Sequence, residues 1–148
     1  GDAQIFLNRE LIFEKHLSLV EVQQQAADFM LRFDGVQKSV TGRTLENNEF
    51  ENGILACIQK GFNQKRSADV FLVLDPAWIE YHNTGTTHGS GYTYDRHVPL
   101  IWYGWNVKPG YTRDKIAVTD IAGTVSSLLG ISFPSGSEAN VISIPLNE

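Results

Sequence analysis

The chain has four histidines and one cysteine in 148 residues, so a site built on imidazole or thiolate chemistry has few places to form. His88 stands apart from the rest. It lies in "NTGTTHGSGYTYDRH", residues 83–97, where Gly85, Gly89 and Gly91 open backbone conformations closed to other residues. Such a loop can aim an imidazole past the end of a strand. Neutral imidazole is a common zinc ligand, and its other ring nitrogen needs an orienting partner. Asp95 is the candidate for that supporting role. Spacing alone does not complete a centre: zinc takes four ligands, or three plus water. No HxxxH, CxxC or His/Asp cluster stands beside His88.

The remaining reactive side chains have plainer readings. His16 precedes a helix cap and is expected to face solvent, and His82 follows Tyr81 at a strand end as a surface imidazole. His97, just before Val98-Pro99-Leu100, is expected to be buried and hydrogen-bonded. Cys57 cannot form an internal disulfide; among apolar neighbours on a helix it reads as a buried, inert thiol. There is no G-x-S-x-G elbow, no Walker loop and no G-x-G-x-x-G after a strand. The "GSG" of residues 89–91 precedes a strand-like run rather than a helix, so it is not a phosphate cradle of that type.

The elements that must position these residues follow from periodicity. Gln4–Ile12 alternates loosely and predicts a strand. Ser18 with Glu21 is a capping box, with Leu17 and Val22 as its hydrophobic staple. The helix it opens carries Leu19, Val22, Ala26, Phe29, Met30 and Phe33 on one face, expected to be core, and stops at Gly35. Val36–Thr44 predicts a second strand. Asn47, Asn48 and Asn52 mark a turn before a helix from Gly53 to about Lys60, ended by Gly61. "SADVFLVLDPAWIEY" is the strongest strand signal, apolar enough for an interior strand, and Asp75-Pro76 breaks it. "VPLIWYGW" predicts another buried strand. "VTDIAGTVSSLLGI" predicts a helix opening at Thr119 or Asp120 and stopping at Gly130. The tail from Ser132 to Glu148 is expected to drape over the surface.

This order predicts an α/β fold with helices packed on a mixed sheet, in one domain over residues 1–148. The net charge of −5, with Lys60, Lys65 and Arg66 as the one small basic cluster, argues against a nucleic-acid partner. It leaves room for a phosphorylated small molecule held through a metal. The longest apolar runs, Val70–Leu74 and Val98–Tyr103, fall well short of the roughly 20 residues that span a bilayer. No leader of the secretory type is visible, and Gly1 at the start suggests a processed or trimmed chain whose parent could carry one.

Three segments in order resemble one family. "GFNQKRSADVFLVLDPAWIEY", "TGTTHGSGYTYDRHVPLIWYG" and "TDIAGTVSSLLGI" together cover most of residues 61–133. They resemble the C-terminal part of alkaline-phosphatase-superfamily enzymes. The likeness is strongest to bacterial phosphate-irrepressible alkaline phosphatases and their nucleotide pyrophosphatase/phosphodiesterase relatives. The resemblance implies a parent with two zinc ions (Zn2+) on six Asp/His ligands and a Thr or Ser nucleophile attacking phosphorus. It matches His88 to the ligand of the zinc that serves the leaving group and water. The nucleophile and other ligands, including an Asp-His-Gly motif, lie upstream in the family, and Thr87-His88-Gly89 lacks the Asp. Two positions depart from the family's usual residues: Gly123 where proline is common and Ala68 where glycine is common.

By this resemblance the chain is the C-terminal portion of a periplasmic or secreted phosphatase acting on phosphate monoesters or diesters. The portion alone is expected to be inactive and to bind no zinc. A sulfatase or a phosphomutase is the sibling reading. A stand-alone, non-catalytic α/β module that binds a ligand or partner is the reading from a different class.

Overall fold

The computed structural model describes residues 3–79, 88–104 and 107–143. The chain falls into two compact units, Gly1–Val98 and Pro99–Glu148.

The first unit is organised around strand β3, Val70–Leu74, whose Val70 is wholly buried. It lies between β1, Gln4–Ile5, and β2, Val36–Thr41, with both pairings antiparallel. The interior position expected of the apolar run is therefore met, and the α/β class with it. The sheet is antiparallel among the described residues rather than mixed. Phe71 pairs with Gln4 on one side and with Val40 on the other. Val40, Phe71, Leu45 and Ala68 form the buried core on that face, with Phe50, Leu55, Ile58 and Phe62 packed against it. The last four come from helix α4, Gly53–Gly61, and the segments flanking it.

β2 is shorter than the sequence suggests. Thr41 turns its hydroxyl onto the backbone N–H of Thr44 at 3.0 Å, capping helix α3, Gly42–Asn47, where strand was expected to continue. A threonine at a strand end can extend the ladder or cap a helix, and here the cap wins. The N–H of buried Gly42 donates to the Asp69 carbonyl at 2.8 Å, which fixes the start of β3.

The N-terminal region corrects the sequence reading twice. The strand expected over Gln4–Ile12 stops at Ile5; Asn8 caps helix α1, Arg9–Glu14, by accepting from the Leu11 N–H at 3.0 Å. Helix α2, Leu19–Met30, opens as the capping box requires, with the Ser18 hydroxyl accepting from Glu21 N–H at 3.4 Å. Leu19, Val22, Ala26 and Met30 of the expected apolar stripe are half-buried, but the two fully buried positions lie just beside it. Gln23 and Ala27 are buried, while Phe29 and Phe33 are exposed and stack edge-to-face on each other.

The reason is Asp69. Its buried carboxylate accepts from Leu7 N–H at 2.9 Å, from Arg9 at 2.8 and 3.1 Å, and from the Gln23 amide at 3.0 Å. A buried carboxylate without donors is costly, so α2 turns its polar Gln23 inward and carries Ala27, one turn on, with it. Burial pushes the Asp69 carboxyl up, and the donors from Leu7, Arg9 and Gln23 outweigh that, holding it below its ordinary 3.8.

In the second unit, helix α6, Asp120–Leu129, matches the expected start and stop: Thr119 precedes it and Gly130, at φ +63°, ends it in the left-handed conformation. Its buried Asp120 carboxylate accepts from Ala117 N–H at 2.8 Å and from Asn140 N–H at 2.9 Å. The Thr124 hydroxyl accepts from Ile142 N–H at 3.0 Å. The described part of the tail is mostly exposed, as expected of a segment draped over the surface, and it is tied to α6 through Asn140 and Ile142. Gly123 is where the two meet, since a Cβ there would stand 2.8 Å from the Ala139 Cβ.

Residues 98–104 form no strand, contrary to expectation. Ile101 and Tyr103 are 80% and 98% exposed. An apolar run becomes a buried strand only where a neighbouring backbone completes its ladder, and none among the described residues does so.

Candidate functional site

The histidine turn is built from its supports outward. Strand β3 ends at Leu74, and Asp75-Pro76 breaks it as expected. Ala77 then takes a left-handed φ of +65°, and Trp78 packs on buried Gly35, where an added Cβ would run into the indole. His82 and Gly85 lie outside the described residues. The chain is described again at His88, whose side chain is exposed.

Beyond His88 the sequence suggested a long loop, but a short helix, α5, Thr93–Arg96, closes it. Asp95 on α5 reaches back to Ser90. One of its oxygens, Oδ2, accepts from the Ser90 N–H at 3.1 Å and from the Ser90 hydroxyl. The Ser90 hydroxyl oxygen in turn accepts from Tyr92 N–H at 3.4 Å. The hydrogen bond from the Ser90 hydroxyl does most to hold the Asp95 carboxyl below its ordinary value, against the pull of burial. Backbone donors at Ser90 and Gly89 and the charge of His88 add to it. The side-chain hydrogen bonds of Asp95 go to Ser90.

Two tyrosines moor this turn to the sheet. The Tyr92 hydroxyl donates to the Leu74 carbonyl at 2.7 Å and lies 3.1 Å from Gln37 Oε1 on β2. Burial pushes its phenol above the ordinary 10.0, with Tyr94 and Asp75 acting in the same direction, so it remains a protonated donor. The Tyr94 ring stacks on Tyr92, centroids 5.6 Å apart and planes 10° apart, and its oxygen accepts from Ala77 N–H at 3.0 Å.

The glycines serve the turn differently from the expectation. Neither Gly89 nor Gly91 adopts a left-handed φ. Gly91 is needed for closeness instead, since an added Cβ would collide with the Ile54 side chain on α4. Gly89 faces open space. An open cleft of about 350 Å³ lies beside the turn, lined by Gln37, Lys38, Ile54, Tyr92 and Arg96 among others.

The other reactive residues disperse. His16 is exposed, as expected, at a left-handed φ of +54°. His97 is a correction: it caps the C-terminal end of α5 and is exposed, because the run after it provides no buried strand to enclose it. Cys57 does lie on a helix, α4, but it is half-buried and receives the Arg96 guanidinium at 2.8 Å. Among the described residues no three His, Cys, Asp or Glu side chains gather as a metal site. Sequence reasoning missed Ser90 and Tyr92 as supports. A serine and a tyrosine in a glycine-rich loop look like solvated polar residues until the sheet end they reach is known.

The sequence is 35% identical over 139 residues to alkaline phosphatase PhoV of Synechococcus elongatus, a match covering 94% of this chain and 25% of that protein. It is 35% identical over 147 residues to a Myroides odoratus protein named as a calcium-transporting ATPase, covering 98% and 26%. It is 31% identical over 134 residues to alkaline phosphatase PafA of Elizabethkingia meningoseptica, covering 90% and 24%. Crystal structures of alkaline phosphatase PafA, wild type and a mutant, match the fold with a TM-score of 0.86 at 30% identity. That match covers 95% of this chain and 27% of theirs. No protein-family model matches. The chain spans about a quarter of the length of these relatives.

Proposed function

We propose that this chain is the C-terminal portion of a two-zinc, alkaline-phosphatase-like enzyme acting on phosphate monoesters or diesters, a reading supported by its similarity to alkaline phosphatases PhoV and PafA. His88 is a ligand of the zinc that serves the leaving group and water. The observation that supports it is an exposed imidazole followed by two residues that are held in place, Ser90 by Asp95 and Tyr92 by the end of β3. That is the arrangement a single ligand needs when its co-ligands come from elsewhere in the protein.

Among the described residues, His88 fits one ligand position. An exposed imidazole beside an anionic Asp95 suits a cation, and the described residues offer no further cluster. When bound, zinc lowers the pKa of a nucleophile or water and stabilises the leaving oxygen. This chain's own part is to hold the His88 ring in place and to keep Asp95 ionised behind it. The segment by itself is inactive, and a periplasmic or secreted location accompanies the reading.

The test is His88→Ala in the full-length protein. Losing a direct ligand should lower phosphatase activity by roughly 100-fold or more, beyond the 10–100-fold that loss of an outer partner costs. Activity close to wild type would remove His88 from the site. The ATPase name of the Myroides relative supports a second reading, in which the parent cleaves a nucleoside triphosphate rather than an ester. Comparing turnover of ATP with that of an aryl phosphate monoester separates the two.

A further inference from the structure

We propose that Tyr92 is a positioning residue for His88, holding the turn that carries it against the carbonyl end of β3; the inference rests on the reading of His88 as a metal ligand. His88 is exposed, so packing does not orient it, and its direction must come from the backbone that presents it. That backbone is fixed at two points. Ser90 is clasped by Asp95, and Tyr92 reaches past α5 to the Leu74 carbonyl at 2.7 Å. The Tyr92 N–H to Ser90 Oγ contact joins these two points in one short link.

The chemistry of the phenol sharpens the role. It has a single proton, and Leu74 O, the nearer acceptor, takes it. The side-chain oxygen of Gln37 on β2 lies 3.1 Å from the same phenol oxygen. One oxygen thereby ties the turn to the end of β3 and to β2 together. The stacked Tyr94 ring braces Tyr92 from the α5 side, and its own oxygen reaches Ala77, three residues beyond Leu74. A reacting geometry displaced by about 1 Å can cost on the order of 100-fold in rate, so a moored turn has a measurable consequence.

Tyr92→Phe removes one oxygen and keeps the ring for stacking. In the full-length protein it should weaken zinc binding by about 10–100-fold in chelator competition. kcat should fall while KM stays near wild type. Ser90→Ala, which cuts the same link elsewhere, should act in the same direction. In a His88→Ala background, Tyr92→Phe should add nothing to the loss of zinc. The proposal is overturned if His88→Ala loses zinc and activity while Tyr92→Phe and Ser90→Ala keep both. It is also overturned if Tyr92→Phe weakens zinc equally with and without His88, the mark of a general structural role. Wild-type zinc affinity and kcat in His88→Ala itself would instead bring down the ligand reading on which the proposal stands.

Discussion

Ser90 gives both its backbone N–H and its hydroxyl to a single oxygen of Asp95. The clasp closes a five-residue span and makes the start of α5 part of the histidine turn. Asp95 thereby fixes the backbone two residues after His88, with its hydrogen bonds spent on Ser90.

Ser90→Ala should loosen that clasp without unfolding the unit. The expected outcome is faster amide hydrogen exchange at position 90 and at Tyr92, with the core strand β3 unchanged. Exchange at Tyr92 equal to wild type would show that the clasp contributes nothing to order there. Local opening of this kind is separable from global unfolding because turns open at lower free energy than core strands.

Acid should strip away the stabilisation that Asp69 provides. Its folded pKa lies below the ordinary 3.8, so the folded state holds this proton less tightly than the unfolded chain does. The contribution is complete above 3.8 and is lost as pH falls through the lower, folded value. Asp69→Ala should cost about 1–3 kcal/mol at neutral pH, since it leaves the Gln23 amide and the Leu7 N–H without their acceptor, while the half-exposed Arg9 turns to solvent. Denaturant unfolding should show that difference shrinking well below pH 3.8. A difference independent of pH would mean that the charge is not what matters.

Gly91→Ala should destabilise the first unit by about 1–3 kcal/mol, because the new methyl overlaps Ile54. Ile54→Ala should largely relieve it, giving a double variant closer in stability to Ile54→Ala alone. Purely additive losses in thermal unfolding would show that Ile54 is not the obstacle.

How much of this was legible from residues alone differs by element. β3 and α6 were readable because their signals are local: an uninterrupted apolar run, and a helix ended by Gly130 in the left-handed conformation. Ser18 and Glu21 gave the start of α2 for the same reason. The burial of Gln23 on α2 was not readable, because its partner is a carboxylate 46 residues further along the chain. Thr41 illustrates a different limit, since its side chain suits both a strand and a cap. The run from Val98 to Tyr103 shows a third, for apolar composition cannot say whether a pairing backbone will be present. His88 was found from its loop and from the family resemblance, yet its supports were hidden because Tyr92 acts across 18 residues on Leu74.

The Asp69 lock also sets an order of events. Its donors come from residues 62, 60 and 46 positions earlier in the chain. Closing loops of that length must precede any reward from them. During synthesis, α1 and α2 therefore emerge with Arg9 and Gln23 unengaged, and they can dock only once the stretch leading into β3 has followed them out. The latch on the N-terminal helices is made by chain that follows them, just ahead of β3.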